Sequence, residues 1–588
     1  MQPLQRTHPR LRSSVVLACA ATWIFTGCIW EHESRKKIDL GVAAQANPYA
    51  ASAAFRDTIG SKTYYQGMAP LSVRGYGLVV GLGSNGASDC PPRVFNRLVQ
   101  AMYKQPGFTS NVVGIRRITP ERLIESIDTA VVIVQGEILP GAVGGSRFDV
   151  VVRALPGTQT KSLRGGRLYT THLERFRRVG ANTTIVGKKL ARASGPIFLN
   201  PFSEGEAATR STDLEGVILG GGLVIADRTL RLVLLEPSYH WAQRIQDRIN
   251  AFAPASKKVA DAISPSFVRL RIPREFHNDT GHFLALVRGL YLSRDPRFAA
   301  ARARQLADEI AHPMAPHGQI AQCLEGLGRA ALPVLDDLYA HPKEHVSFFA
   351  AAAGLRLGDY VASDVMALHA RNPDSPYRFR AIRALGAAKG MAGAGMCLRS
   401  LLDDEDPRIQ VAAYEALIVR FDPVIRSMSV GGDNFRLDQI PTQRPGFIFV
   451  KRKGSRRIAL FGDNLRCSPP ILYQARDGSI TISARPGDLE LTLMRVVVAS
   501  GSTSPPVQAP LTLPELIQLL GDDADVDADG DVIGLGLDYG AVVRALYHLC
   551  QAKSVNANFI LEQPNAGELF GPPKPRGRPE SELSATGR

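Results

Sequence analysis

The chain has few cysteines and no long apolar stretch, and both shortages limit what it can be. It has 588 residues with seven cysteines, none in a CxxC spacing, which argues against a cysteine-ligated metal site. No internal stretch reaches the roughly 20 apolar residues of a membrane-spanning helix. Five cysteines remain once an N-terminal leader with Cys19 and a candidate lipidation site at Cys28 are set aside: Cys90, Cys323, Cys397, Cys467 and Cys550. One disulfide and buried free thiols both fit this set, and the sequence does not choose between them.

Signatures of catalysis are missing as well. Neither HExxH nor GxSxG occurs, and the histidines are scattered along the chain. Gly75 and Gly77 suggest a dinucleotide-binding loop, but Val80 stands where that fingerprint requires glycine, and these glycines open a strand rather than a helix. We therefore expect a protein that is not an enzyme and that binds no cofactor.

One acidic segment resembles part of a calcium-binding loop. Asp525, Asp527 and Asp529 alternate ahead of Gly530, as in the first half of such a loop. The twelfth position is Gly536 instead of glutamate, so the bidentate ligand is missing. An acidic surface loop is the favoured interpretation, and a calcium site is the weaker alternative; we predict no metal elsewhere.

The N-terminus indicates export. Three arginines precede an apolar run at residues 15–25, which has the length of a signal-peptide core. The run leads into the tetrapeptide Phe-Thr-Gly-Cys, which resembles a lipobox that would place a lipid on Cys28. A plain secretion signal with an incidental Cys28 is the alternative. Because Ile29 rather than aspartate follows, a lipidated chain is expected at the outer membrane.

The net charge of +15 is high for an exported protein. Outside the cytoplasm its expected partners are anionic lipid, cell-wall polymer or acidic protein surfaces, and not nucleic acid. Between residues 161 and 192 a single acid, Glu174, accompanies nine cations: Lys161, Arg164, Arg167, Arg175, Arg177, Arg178, Lys188, Lys189 and Arg192. These cations indicate either a solvated basic hairpin or a positive surface facing an acidic neighbour or cell-wall polymer.

Changes in composition divide the chain into six parts. They are a signal peptide with a lipobox-like end (1–28), a linker (29–55), a strand-rich body (56–296), an all-α region (297–430), a second strand-rich part (431–565) and a disordered tail (566–588). Within the first body, apolar residues at helical spacing predict helices over Pro92–Tyr103 and Tyr239–Phe252. The predicted fold class is therefore multidomain α+β.

The all-α region contains a weak internal repeat. Leu-Gly pairs end at Gly328, Gly358 and Gly386, about 30 residues apart. Asp406-Pro407 precedes an amphipathic segment, as Ser375-Pro376 does before it. Proline at the start of one helix of each pair is typical of HEAT-like repeats, which bury a continuous core only as a set. An irregular helical domain is the alternative.

Two well-separated motifs resemble the bacterial flagellar basal-body P-ring protein family. The first lies in residues 74–82 and includes Gly75, Tyr76, Gly77 and Gly81; the second is the run Lys161, Ser162, Leu163, Arg164, Gly165 and Gly166. The resemblance resumes in residues 455–484 and 539–562. It implies a P-ring-like body in two segments, interrupted by the HEAT-like region.

The resemblance implies a structural function. Such a protein would form a periplasmic annulus around the flagellar rod from many copies of itself. Its implied partners are the rod, the L-ring, a periplasmic assembly chaperone and peptidoglycan. Cys28 and the inserted helices depart from the family pattern, so an outer-membrane-tethered adaptor of a non-flagellar envelope complex is the alternative function.

Overall fold

The fold is given by a computed structural model. It describes residues 49, 52–104, 119–179, 183–199, 213–253, 258–432, 434–475, 478–497, 502–524 and 534–563. The predicted signal peptide with Cys28, most of the linker, the candidate calcium ligands and the predicted tail lie outside these residues. No helix within them has both the length and the apolarity to cross a bilayer.

Residues 52–292 form two small units, a barrel and a sheet with helices, and the barrel strands lie between the strands of the sheet in sequence. Their strands are β1 (Thr63–Gln66), β2 (Leu71–Val80), β3 (Ala130–Ile138), β4 (Arg147–Ala154), β5 (Arg167–Val179), β6 (Thr183–Pro196), β7 (Glu215–Val224), β8 (Leu230–Leu234), β9 (Ala260–Ser264) and β10 (Phe267–Leu270). Their helices are α1 (Ile59–Lys62), α2 (Pro92–Tyr103), α3 (Pro120–Ile124), α4 (Tyr239–Phe252) and α5 (Thr280–Gly289). The two helices predicted from periodicity are confirmed at α2 and α4.

Six of these strands close into a barrel in the order β2-β3-β4-β7-β6-β5. Alternate residues point inward and fill the interior with small and branched side chains, among them Val79, Val132 and Val150. Helices α2 and α3 cover the outside of β2 and β3, where Leu98 and Ile124 pack on Leu78. Strands β2 and β3 are therefore buried on both faces.

The second unit is a four-stranded sheet of order β1-β8-β10-β9, with helices α4 and α5 packed on it. Ser238 caps α4 by accepting a hydrogen bond from the Trp241 amide. The stripe Ala242, Ile245 and Ile249 of α4 faces the sheet and is fully buried. The stripe is thus core, as its helical spacing predicts.

Eight helices follow in the described chain between residues 296 and 420. They are α6 (Pro296–Ile310), α7 (His317–Leu327), α8 (Leu332–Tyr339), α9 (Glu344–Leu357), α10 (Tyr360–Arg371), α11 (Arg378–Ala387), α12 (Ala392–Ser400) and α13 (Pro407–Arg420). Contacts join α9 to α10, α10 to α11 and α12 to α13, and also α7 to α9, α9 to α11 and α11 to α13. One apolar core runs through this array, from Phe55 and Tyr291 at one end to Phe449 and Phe461 at the other.

The repeated Leu-Gly pairs occupy different structural positions in this array. Gly328 and Gly358 follow helix ends, with φ of 71° and 86° that favour glycine. Gly386 instead lies inside α11, where an added Cβ would come within 2.8 Å of Ala416 in α13. The third pair therefore differs from the first two, since its glycine allows close helix packing. The HEAT-like assignment stays a prediction.

Residues 426–563 form two sheets and two helices. The strands are β11 (Arg426–Val430), β12 (Phe435–Ile440), β13 (Phe447–Val450), β14 (Arg457–Phe461), β15 (Ile471–Gln474), β16 (Ile480–Ala484), β17 (Glu490–Val497), β18 (Ser502–Thr503), β19 (Val507–Pro510) and β20 (Asn558–Leu561); the helices are α14 (Leu513–Gly521) and α15 (Tyr539–Gln551). One sheet has the order β11-β12-β14-β13-β20, and the other runs β15-β16-β17-β18 with β19 beside β17. One face of the first sheet covers the end of the helical array, and its other face shares a core with α14 and α15.

The two strand-rich regions have no strand pairing in common among the described residues, but they touch along a seam. Asp149 of β4 accepts hydrogen bonds from the Gly220 amide of β7 (2.5 Å) and from the Gly454 amide (3.0 Å). Gly220, with φ of 59°, lies so close to the second region that a Cβ would be 2.8 Å from the Gly454 carbonyl oxygen. Phe198 packs on Tyr539 with ring centroids 5.6 Å apart. The regions are thus separate sheets in contact; a single body in two segments remains a prediction.

All five cysteines in the described chain are free thiols, of which Cys323, Cys397 and Cys467 are buried. Burial raises the pKa of Cys550 to about 12 and, with a contribution from the nearby Cys550 sulfur, that of Cys467 to about 12. Of the two alternatives, the described residues therefore show free thiols, three of them buried, and no disulfide.

A buried carboxylate joins the helical array to the first of these sheets. Asp438 of β12 is fully buried and accepts hydrogen bonds from the Tyr414 hydroxyl of α13 (2.5 Å), the Ser427 hydroxyl and the Arg457 guanidinium (2.7 Å). Burial, and then the Asp438 charge, raise the pKa of Tyr414 well above its ordinary value, so that its hydroxyl stays a donor. This cluster fixes α13 on the sheet.

The cluster predicts a large effect of Arg457→Met. The substitution leaves the Asp438 charge buried and unpaired, so the free energy of unfolding should fall by about 3–5 kcal/mol. Adding Asp438→Asn removes the charge and should recover part of the loss. Denaturant unfolding measures both. Arg408→Met breaks an exposed pair with Asp406 and should change little. Equal losses for Arg408→Met and Arg457→Met would contradict this account.

Candidate assembly surface

The first predicted motif is the strand that closes the barrel. Strand β2 pairs with β3 from Leu71 to Val79 but with β5 only at residues 73–74 and 79–80, because the register shifts between Arg74 and Val79. In that interval a Cβ on Gly75 would be 2.4 Å from the His172 carbonyl oxygen, and one on Gly77 would be 2.5 Å from the Thr171 hydroxyl. Only glycine lets β5 approach this closely.

The turn after β2 is held by one aspartate. Gly81 has φ of 80°, a value that side chains rarely adopt. The Asp128 carboxylate accepts hydrogen bonds from the Gly83 amide (2.6 Å) and the Gly81 amide (3.3 Å). Tyr76 of the same motif lies on the outer face of β2, beside α2, with the Arg97 guanidinium 5.9 Å from its ring centroid.

The second motif, Lys161–Gly166, is a loop that seals one end of the barrel. Leu163 is fully buried in the barrel interior, and its amide donates to the Asp213 carbonyl oxygen (2.8 Å). Gly165 has φ of 70°, and a Cβ on Gly166 would be 2.5 Å from Val79. The structure thus brings both motifs together at one end of the barrel. Sequence spacing gives no signal for this contact.

The polar side chains of this loop differ in exposure: Ser162 is buried and Arg164 is half-buried. Lys161 is exposed. The Asp213 carboxylate accepts hydrogen bonds from Arg164 (3.3 Å) and from the Ser162 hydroxyl (3.3 Å). The loop therefore adds positive charge to the barrel surface while its backbone and Leu163 serve packing.

Strands β5 and β6 carry the predicted basic segment as a long hairpin. The exposed cations described on or beside it are Lys161, Arg167, Arg175, Lys188, Lys189 and Arg192; we call these six residues the basic face. Glu174 is paired with Arg97 of α2 at 2.8 Å, so it does not offset them. The side chains of Arg177 and Arg178 lie outside the described residues. The hairpin is confirmed, and its function as a contact surface stays a prediction.

A histidine lies between the basic face and the barrel core. His172 of β5 is opposite Arg192 of β6, and its Nδ1 is buried without a hydrogen-bond partner in the described part of the chain. Burial, and then the charge of Lys189, lower the pKa of His172. His172 is thus kept neutral by its surroundings at neutral pH.

No group of three or more histidine, cysteine, aspartate or glutamate side chains is placed to hold a metal within the described ranges. Asp525, Asp527 and Asp529 are outside those ranges, so the calcium alternative is untested.

Part of the chain is similar to known proteins. Residues 59–300 match the family model described as flagellar P-ring protein. The flagellar P-ring protein of Bradyrhizobium sp. is 33% identical over 246 residues, which cover 40% of this chain and 59% of that protein. That of Rhodopseudomonas palustris is 33% identical over 241 residues, covering 39% and 59%. That of Caulobacter vibrioides is 28% identical over 274 residues, covering 45% and 66%.

The chain thus spans about three fifths of the length of the first two relatives. The matched segment contains the barrel, the basic face and both motifs. The renewed resemblance predicted for residues 455–484 and 539–562 lies beyond the match to the family model and stays a prediction.

The barrel closure predicts that Gly75→Ala is destabilising. The new methyl group meets backbone that cannot rotate away, so we expect a loss of about 1–3 kcal/mol in the free energy of unfolding. Gly281→Ala is the matched control, because nothing lies within 4 Å of an added Cβ there and the residue is in the first turn of α5. That control should be neutral or stabilising by up to about 1 kcal/mol. Denaturant unfolding that ranks the two variants the other way would refute the closure argument.

The position of His172 predicts a pH dependence. Its folded pKa is below its ordinary value of 6.5, so the stability it contributes is present above pH 6.5 and is lost as the pH falls further. His172→Gln should show a smaller fall in Tm between pH 7 and pH 5 than the unsubstituted chain. Exposed His277→Gln serves as the control. An unchanged pH profile for His172→Gln would show that the buried ring does not govern this dependence.

Proposed function

We propose, on the premise that residues 59–300 belong to the flagellar P-ring protein family, that this chain is a structural subunit of a periplasmic annulus around the flagellar rod. That family match is the observation on which the proposal rests. The relatives named above are flagellar P-ring proteins, and the chain covers only part of their length. Assembly, location and partners are therefore proposals for this chain.

The closed barrel suits a structural subunit. A closed barrel has no free edge strands, so copies pack through side-chain surfaces and not by uncontrolled strand addition. A ring of identical copies needs two different surfaces on each subunit that complement each other. The basic face is the surface we assign to one side of that contact, against an acidic surface of the neighbour.

The proposed partners follow from the family. They are further copies of this chain, the rod, the L-ring, a periplasmic assembly chaperone and peptidoglycan. The cell-wall polymer carries negative charge, which suits a chain with a net charge of +15. A lipid on Cys28 would add an outer-membrane anchor.

We also propose that helices α6–α13 are HEAT-like repeats forming a second layer. Contacts between successive helices and between helices two apart support stacked helix pairs. Asp406 caps α13 and Pro407 starts it, as the repeat pattern predicts. Since this array lies almost entirely beyond the family match, it would bind a partner of its own.

Charge reversal tests the basic face. The triple variant Lys188→Glu, Lys189→Glu and Arg192→Glu should weaken self-association by more than about tenfold, because like charges would then face each other. The defect should shrink as salt rises. Sedimentation velocity of the purified chain measures association, and electron microscopy of isolated envelope complexes counts annuli.

The matched control reverses three exposed cations of the helical array, Arg371, Arg383 and Lys389, with the same change in net charge. It should assemble normally. If both triple variants assemble alike, the basic face is not the contact. If envelope complexes contain no annulus of this chain, the ring proposal itself fails.

An outer-membrane-tethered adaptor is the second candidate function. It is favoured by the lipobox-like sequence at Cys28 together with the helical array. The two candidates differ in the cell: loss of a ring subunit abolishes swimming, whereas loss of an adaptor of another complex leaves it intact. Cell fractionation of a Cys28→Ser variant then tests the anchor separately.

A further inference from the structure

A cavity opens at the seam, between the barrel end and the second strand-rich region. Its volume is about 330 Å³, and it is lined from both sides: by Arg164 of the barrel loop, by Tyr473 of β15, and by Arg544 and His548 of α15. This volume accommodates a small organic molecule or the end of a peptide.

Arg544 is the unusual group in this cavity. The residue is only 9% exposed, yet it forms no hydrogen bond or ion pair with any described residue. An arginine with so little exposure is normally paired. None of the Arg544 nitrogen atoms is among the buried unpaired atoms of the described chain, so the guanidinium is reached from the cavity. Its guanidinium lines the cavity, so a ligand there can supply the missing partner.

The other lining groups determine the class of ligand. Arg164 adds a second positive charge, already shared with Asp213 at 3.3 Å. The rings of Tyr473 and His548 are stacked with centroids 5.7 Å apart, and Leu472 is 82% exposed at the rim. One uncompensated guanidinium surrounded by aromatic and aliphatic groups suits a carboxylate on an apolar body better than a bare inorganic anion.

We propose that this cavity binds a carboxylate-bearing peptide group, with Arg544 as the bidentate partner of the carboxylate. The ligand would touch Arg164 on the barrel side and Arg544 on the other, so it would hold the seam together. Binding should therefore raise the Tm of the chain. The proposal rests on the cavity alone and holds whether or not the chain forms a ring.

Two parts of a peptide can supply this carboxylate: its C-terminus and an acidic side chain. Isothermal titration of the full chain with N-acetyl-Ala-Ala and with N-acetyl-glutamate N-methylamide separates them. The C-terminal amide of the first peptide and inorganic phosphate are the matched probes without a carboxylate. We expect one or both acids to bind, and the amide and phosphate to bind at least about tenfold more weakly.

Substitutions locate the site. Arg544→Met should weaken binding of the acid by at least about tenfold, since a hydrogen bond to a charged group is lost. Arg544→Lys retains charge and length but not the planar guanidinium. The variant should therefore fold normally but bind the acid several-fold more weakly. Exposed Arg436→Met is the control and should bind normally. The proposal is overturned if neither acid binds, if phosphate or the amide binds as well as the acid, or if Arg544→Lys binds as tightly as the unsubstituted chain.

Discussion

Closure of the barrel by β2 is the constraint on which the rest of the matched segment depends. Strand β2 must pair with β3 and still meet β5, and Gly75 and Gly77 leave the room that β5 needs. Once β5 is held there, its partner β6 and the basic face take their positions, and Leu163 seals the barrel end. The motif glycines thus act through backbone geometry and not through chemistry.

The barrel alone does not make the molecule rigid. The helical array reaches from Phe55 to Phe461 with one continuous core, and the Asp438 cluster fastens its last helix to a sheet. The seam at Asp149 then joins that second region back to the barrel. Each connection uses a buried or partly buried polar group with defined hydrogen-bond partners. Such a group fixes one placement of the two joined parts relative to each other, whereas apolar contact alone would allow several.

Regular elements with strong periodicity could be predicted from the sequence, and irregular strands could not. Helices α2 and α4 have the predicted ends because their apolar stripes repeat at 3.6 residues. The sequence predicted a basic hairpin within residues 161–192 but not the ends of its strands β5 and β6, because their pairing register shifts at three points and charged residues occupy their outer face. The Leu-Gly spacing does not distinguish Gly386 from Gly328 and Gly358, since a glycine that ends a helix and one that admits a neighbouring helix look the same in sequence.

By itself the sequence determined the fold class, the division into strand-rich and helical parts, the positive charge of residues 161–192 and the two family motifs. These are local properties of composition, spacing and pattern. Only the tertiary structure decided that the motifs meet at one barrel end, that the five described cysteines are free thiols, and that Arg544 faces a cavity with Arg164. Such contacts join residues up to hundreds of positions apart, and their partners are set by how sheets and helices pack, which no local pattern encodes.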